Sequence, residues 1–154
     1  MTGAIRYEKT ISTRNRGHGE FIEAPIPAYL IETSNGCILY DVGCNYRKVS
    51  DPILRASHFD PTLPLVEPPS MWERQRIPRY LKRLGFGPQD VDVVLISHLH
   101  FDHVGGLHDL PGCAVHVQAE ELAAAHTGAD GSVFTDESAS SNQWEIKTAA
   151  RRYS

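Results

Sequence analysis

Residues 97–107, Ser97-His98-Leu99-His100-Phe101-Asp102-His103-Val104-Gly105-Gly106-Leu107, hold the densest chemistry in the chain. They follow the apolar run Val91 to Ile96, itself preceded by the turn residues Pro88-Gln89-Asp90, a pattern that predicts a buried strand. The segment thus sits where a strand ends and a loop begins, which is where open α/β sheets place ligand sites. In extended backbone, alternate positions share a side, so His98 and His100 can offer two imidazoles to one metal ion. Asp102 and His103 arrive as the chain turns and can face a second ion, roughly 3.5–4 Å from the first in two-metal sites. Gly105 and Gly106 permit a tight corner with no Cβ in the way. Nitrogen and oxygen donors without a thiolate suit Zn²⁺, with Mn²⁺ or Fe²⁺ as substitutes. A lone histidine here would read as a core or surface residue. Three histidines and an aspartate within six positions read as metal ligands.

Upstream, residues 26–42 predict a β-hairpin, with the apolar runs Ala28 to Ile31 and Cys37 to Tyr40 around Ser34-Asn35-Gly36. From Gly43 to Pro69 periodicity disappears and five prolines gather, which predicts a long functional loop. Ser70 has capping-box spacing to Glu73, so a helix is expected from there, with Ile77, Leu81 and Leu84 as its apolar stripe. Pro78 should confine or kink that helix, and Gly85 should cap it. Arg74, Arg76, Arg79, Lys82 and Arg83 read as its solvated face rather than a nucleic-acid surface. Downstream, Ala114 to Val117 predicts a strand and Glu120 to Ala125 a helix. Residues 127–142 are a poorly defined tail, and 143–151 suit a last helix. Hairpin, helix, strand, loop, strand and helix together argue an α/β layered fold.

The chain has 154 residues, 41% of them hydrophobic and 22% charged, as in an ordinary globular protein and not a disordered one. Apolar runs such as Val93-Val94-Leu95-Ile96 fall far short of the roughly 20 residues of a membrane span. No secretory signal is evident at the N-terminus, so a cytoplasmic protein is expected. A formal charge of -4 offers no general attraction to phosphate backbones or anionic lipid, which argues against nucleic-acid and membrane partners. Cys37, Cys44 and Cys113 form no disulfide framework and no CxxC pair, and read as small buried hydrophobes.

His98-x-His100-x-Asp102-His103 resembles the signature of the metallo-β-lactamase superfamily. The wider string Ser97 to Leu107 is most similar to the N-acyl-homoserine lactonase branch. Tyr40-Asp41-Val42-Gly43-Cys44 is similar to the family's strand-end Asp-Thr-Gly, with Val42 in place of Thr. Leu84 to Asp92 and Val115 to Glu120 continue the likeness, which covers about residues 25–126. The resemblance implies an αββα sandwich, of which residues 1–154 would be the N-terminal part. It implies two metal ions held by five histidines and two aspartates, of which His98, His100, Asp102 and His103 are the ligands in this chain. The other three would lie in a missing second half. It further implies a hydrolase of lactones or related esters, with a quorum-quenching role. Water activated between the ions would attack the carbonyl, and Asp102 would be a metal ligand and the catalytic proton carrier. A thioesterase or phosphodiesterase of the same fold, and a non-catalytic metal-binding remnant, are the alternatives. A half sandwich would expose one sheet face, so self-association or a complementary half is the expected partner, beside a small-molecule substrate.

Other residues carry weaker signals. Asp41 is read either as orienting a metal-ligand histidine or as bonding its own turn. His18 is read as a solvated loop residue, His116 as a strand residue and His126 as a helix end. Phe101, Trp72 and Trp144 are read as packing residues before pocket walls.

Overall fold

The computed structural model describes residues 1–59, 65–127 and 143–146. Ala4–Glu8 (β1) and Phe21–Pro25 (β2) pair antiparallel from Ala4↔Pro25 to Glu8↔Phe21, a hairpin that no sequence signal announces. Its strands are five residues long and carry charges, and backbone bridges from Ala4 to Ser70 and from Tyr7 to Val66 help to hold it. Tyr29–Thr33 (β3) and Gly36–Tyr40 (β4) form the expected hairpin around Ser34-Asn35.

The expected loop over 43–69 is corrected in its first part. Tyr46–Ser50 (α1) and Pro52–His58 (α2) are helices. Asn45 Oδ1 accepts from the N–H of Arg47 at 3.0 Å, and Asp51 Oδ1 from the N–H of Ile53 at 2.9 Å. Pro52 takes a first-turn position, where its missing N–H is not needed. Helices of five and seven residues have too few turns to register as periodicity.

The next helix begins later than the Ser70 capping box predicts. Ser70 is occupied by its bridge to Ala4, and a 3₁₀ turn at Glu73–Gln75 intervenes, where the N–H of Trp72 donates to Gln75 Oε1 at 2.8 Å. Ile77–Leu84 (α3) follows, with Pro78 in its first turn, so no kink arises. Gly85 closes it at φ 90°, as expected. Ile77 and Leu81 are buried, but Leu84 is exposed, so the apolar stripe is one turn shorter than read.

Val93–Leu95 (β5), Ala114–Val117 (β6) and Ala119–Thr127 (α5) follow at or near their expected places, whereas the expected loop after β5 contains a helical turn, Phe101–Val104 (α4). The last helix is corrected: Gln143–Ile146 is a strand (β7) parallel to β6, and the remainder of 127–154 beyond Thr127 lies outside the described residues. One sheet runs β3-β4-β5-β6-β7, antiparallel at its first pair and parallel at the rest.

The two faces of this sheet differ. On one, Leu39, Val94, Val115 and Val117 are buried against Ile77 and Leu81 of α3 and against Leu99, Val104, Leu107 and Leu110. A side chain of this size contributes about 1.5–3 kcal/mol when fully buried. On the other, Tyr29, Ile31 and Tyr40 are 58%, 44% and 38% exposed, with Val93, Leu95 and Ala114 half-buried beside them. This is an α/β layering in which helices cover one sheet face. A smaller cluster of Ile26, Cys44, Val49 and Phe59 packs on Phe101, whose ring meets Phe59 edge-on at 5.1 Å.

Candidate metal centre

Strand β5 ends at Leu95 and α4 begins at Phe101, so the histidine motif is a short loop running into one helical turn. The N–H groups of His103 and Val104 donate to the carbonyl of His100, at 2.9 and 3.2 Å, which bends the chain back on itself. That bend brings the expected residues together. The His98 ring lies 4.6 Å from the His100 ring and 3.9 Å from the His103 ring, centroid to centroid. His103 Nε2 stands 3.5 Å from Asp102 Oδ2. All four side chains are half-buried.

Asp41 anchors the group from the end of β4. It is 4% exposed and sits at φ 54°, a left-handed conformation that aspartate tolerates better than most residues. Its Oδ1 accepts from the N–H of Ser97 at 2.8 Å, and its Oδ2 contacts Ser97 Oγ and His103 Nδ1, each at 2.8 Å. These bonds fit the reading of Asp41 as orienting a motif histidine, since they run to Ser97 and His103 rather than to its own turn. Burial pushes its carboxyl up, but the bonds from His103 and Ser97 outweigh this and hold it below the ordinary range. Burial also pushes His103 down, and the bond to Asp41 with the charges of Asp102 and Asp41 reverses this and holds it up. His98 is pushed down by burial and by the neighbouring histidines.

Two contributors escaped the sequence reading. Glu121 of α5 accepts the N–H of Leu99 on its Oε1 at 2.9 Å, tying the motif to a helix twenty-two positions on. Ser97 bridges Asp41 to the rings of His98 and His103. Neither role has a local signal, since both depend on which elements meet. The glycines leave no Cβ in the way, as expected, but the atoms they spare belong to a distant segment rather than to their own corner. Gly105 has an ordinary φ of -60°, but a Cβ there would lie 2.2 Å from Asn45 N, and at Gly106 one would lie 2.1 Å from the Val42 carbonyl oxygen. Close approach of backbone to backbone, not turn geometry, requires them.

The other singled-out residues lie elsewhere. His18 is exposed, 3.5 Å from Glu8. His116 lies on β6, and His126 stands just before the end of α5. Trp72 is exposed beneath Arg74, Phe101 packs in the small core, and the Trp144 side chain lies outside the described residues. Cys44 and Cys113 are buried as expected, whereas Cys37 is only half-buried. Arg74, Arg79, Lys82 and Arg83 are exposed as the solvated face expected, Arg79 pairing with Glu73, whereas Arg76 is half-buried in a two-pronged ion pair with Asp109. A cavity of about 300 Å³ lies beside Arg76, Asp109, Asn45 and Gly105 and includes none of the four motif residues.

As donors, three imidazoles and a carboxylate in mutual contact fit a borderline divalent ion. Among the described residues, no three His, Cys, Asp or Glu side chains are grouped so as to hold a metal ion. No described helix is long and apolar enough to cross a membrane.

Known proteins share this segment. An N-acyl homoserine lactonase of a Bacillus species is 38% identical over 107 residues, 70% of this chain and 42% of that protein. A probable metallo-hydrolase of Mycobacterium tuberculosis is 32% identical over 96 residues, 62% of this chain and 29% of its own length. This chain thus spans less than half the length of these curated relatives. The solved structure of an N-acyl homoserine lactone hydrolase, with the product N-hexanoyl-L-homoserine at its catalytic metal centre, superposes with a TM-score of 0.73. It is 27% identical and matches 94% of this chain against 57% of that one. The family model of the metallo-β-lactamase superfamily matches residues 23–149, a span that holds β4 with Asp41, the whole motif and α5, and the chain belongs to that superfamily.

Proposed function

We propose that this chain supplies the first set of metal ligands of a hydrolase that opens N-acyl-homoserine lactones or similar small lactones. The observation that carries the reading is the contact of the His98, His100 and His103 rings at a strand end, with Asp102 alongside and Asp41 bonded to His103 from behind. The family implies a divalent metal, usually zinc, and the lactonase relatives point to the substrate class.

His98 and His100 are the ligands of one ion, and Asp102 and His103 are this chain's contribution to a second. An ion bound there supplies Lewis acidity toward a carbonyl oxygen and lowers the pKa of water. The chain's own residues prepare the site. Asp41 holds His103 by Nδ1, which leaves Nε2 for a metal. Glu121 fixes the backbone between His98 and His100. Asp102 carries a proton toward the leaving alkoxide. By homology the complete site has further ligands outside this segment, contributed by a complementary half of the fold.

Zinc titration of the 154-residue chain tests the metal reading. The expected result is at most about one ion, bound more weakly than by a closed site of three or four protein ligands. His98→Ala and His100→Ala should each abolish it, and undiminished binding in the double variant overturns the assignment. Lactone hydrolysis tests the substrate class. Activity should be near background for this chain alone and should rise when the C-terminal part of a Bacillus lactonase is added. A mixture that prefers thioesters or phosphodiesters to lactones overturns the lactone reading.

A further inference from the structure

We propose that Ser97 is a positioning residue whose hydroxyl sets the tautomer of His98, so that His98 carries its hydrogen on Nδ1 and presents a bare Nε2 to the site. The use of that nitrogen by a metal rests on the reading above, while the tautomer itself does not.

Three polar atoms surround the single hydroxyl proton of Ser97. Ser97 Oγ lies 2.8 Å from Asp41 Oδ2, 3.0 Å from His98 Nδ1 and 3.3 Å from His103 Nδ1. A serine hydroxyl has one hydrogen to give and two lone pairs to receive. An ionised carboxylate can only accept. If Ser97 gave its hydrogen to His98, two oxygen acceptors would face each other at 2.8 Å in a site where Asp41 is buried. The hydroxyl therefore donates to Asp41. Its lone pairs are what His98 Nδ1 meets, so that nitrogen must be the donor. A neutral imidazole has one N–H, which leaves Nε2 free. His103 Nδ1 is likewise the donor to Asp41, at 2.8 Å. One buried carboxylate thus sets two rings, His103 directly and His98 through the serine.

The test uses the full 154-residue chain labelled with ¹⁵N. Long-range proton–nitrogen spectra of the histidine rings are recorded well above the ordinary histidine pKa, with His98 assigned by loss of its signals in His98→Gln. The wild-type chain should show the Nδ1–H tautomer at both His98 and His103. Ser97→Ala should move His98 toward the Nε2–H form while His103 keeps Nδ1–H, which shows that the fold has survived. Ser97→Thr, with its hydroxyl retained, should restore the wild-type pattern. Zinc affinity should fall about 10–100-fold in Ser97→Ala and recover in Ser97→Thr. An Nε2–H His98 in the wild-type chain overturns the proposal without any variant, and so does an unchanged His98 in Ser97→Ala. A wild-type chain with the expected tautomers that binds no zinc refutes the metal reading and leaves the tautomer control standing.

Discussion

Asp41 Oδ2 accepts a hydrogen bond from His103 Nδ1 at 2.8 Å, although 62 positions separate the two residues in sequence. The bond joins the end of β4 to the helical turn α4, and the N–H of Val42 donating to the His103 carbonyl at 2.9 Å reinforces it. Asp41→Ala leaves buried donors without an acceptor and should cost about 2–3 kcal/mol in urea unfolding. Asp41→Gly loses the same bonds but suits φ 54°, so it should be less damaged than Asp41→Ala by about 1 kcal/mol. Equal losses would show that the left-handed backbone carries no strain.

Glu121 gives a second remote support, through the N–H of Leu99 at 2.9 Å. Glu121→Gln keeps an acceptor oxygen and should unfold within about 0.5 kcal/mol of the wild type, whereas Glu121→Ala should lose about 1–2 kcal/mol. Hydrogen exchange at Leu99 should quicken in the alanine variant alone. Unaltered exchange there would remove Glu121 from the support of the motif.

Gly106→Ala should be harmful because there is no room for its methyl group. Its Cβ would lie 2.1 Å from the Val42 carbonyl oxygen, and backbone cannot rotate aside as a side chain does. A loss of about 1–3 kcal/mol is expected, together with weaker zinc binding, because the displaced segment carries Asp41. The check is a thermal melt beside a zinc titration, and a melt matching the wild type would contradict the close packing.

The sheet face of Tyr29, Ile31 and Tyr40 should make the 154-residue chain associate with itself as concentration rises. These side chains form a contiguous apolar patch on β3 and β4 next to half-buried Val93 and Leu95. Ile31→Lys combined with Tyr40→Lys should shift size-exclusion elution toward the monomer. A wild-type chain that elutes as a monomer at every concentration, with a concentration-independent melt, would show that this face needs no cover.

Arg76 and Asp109 tie the start of α3 to the turn after the motif through a two-pronged pair, with Asp109 largely buried. Arg76→Ala should cost about 1–2 kcal/mol, and Arg76→Lys should recover only part of that, because an ammonium cannot bond both carboxylate oxygens in the same plane. Full recovery by lysine would reduce the pair to simple charge attraction.

The sequence alone determined the hairpin at 29–40, the strands at 93–95 and 114–117, the Gly85 cap and the cluster of His98, His100, Asp102 and His103. These are local matters: apolar runs, turn residues and the density of ligand-type side chains lie within a few positions of one another. The helices at 46–50 and 52–58 were too short for periodicity to reveal, and the strand at 143–146 is held by pairing with β6 that no window of sequence contains. Only the tertiary structure decided that Asp41 reaches His103, that Ser97 stands between Asp41 and His98, that Glu121 bonds Leu99, and that Gly106 lies against Val42. Each of these is a contact between elements distant along the chain. Hydrogen-bond distance and steric exclusion arise only when the sheet and the helices on its covered face pack, and packing sets which backbone atoms approach and which polar groups must find partners.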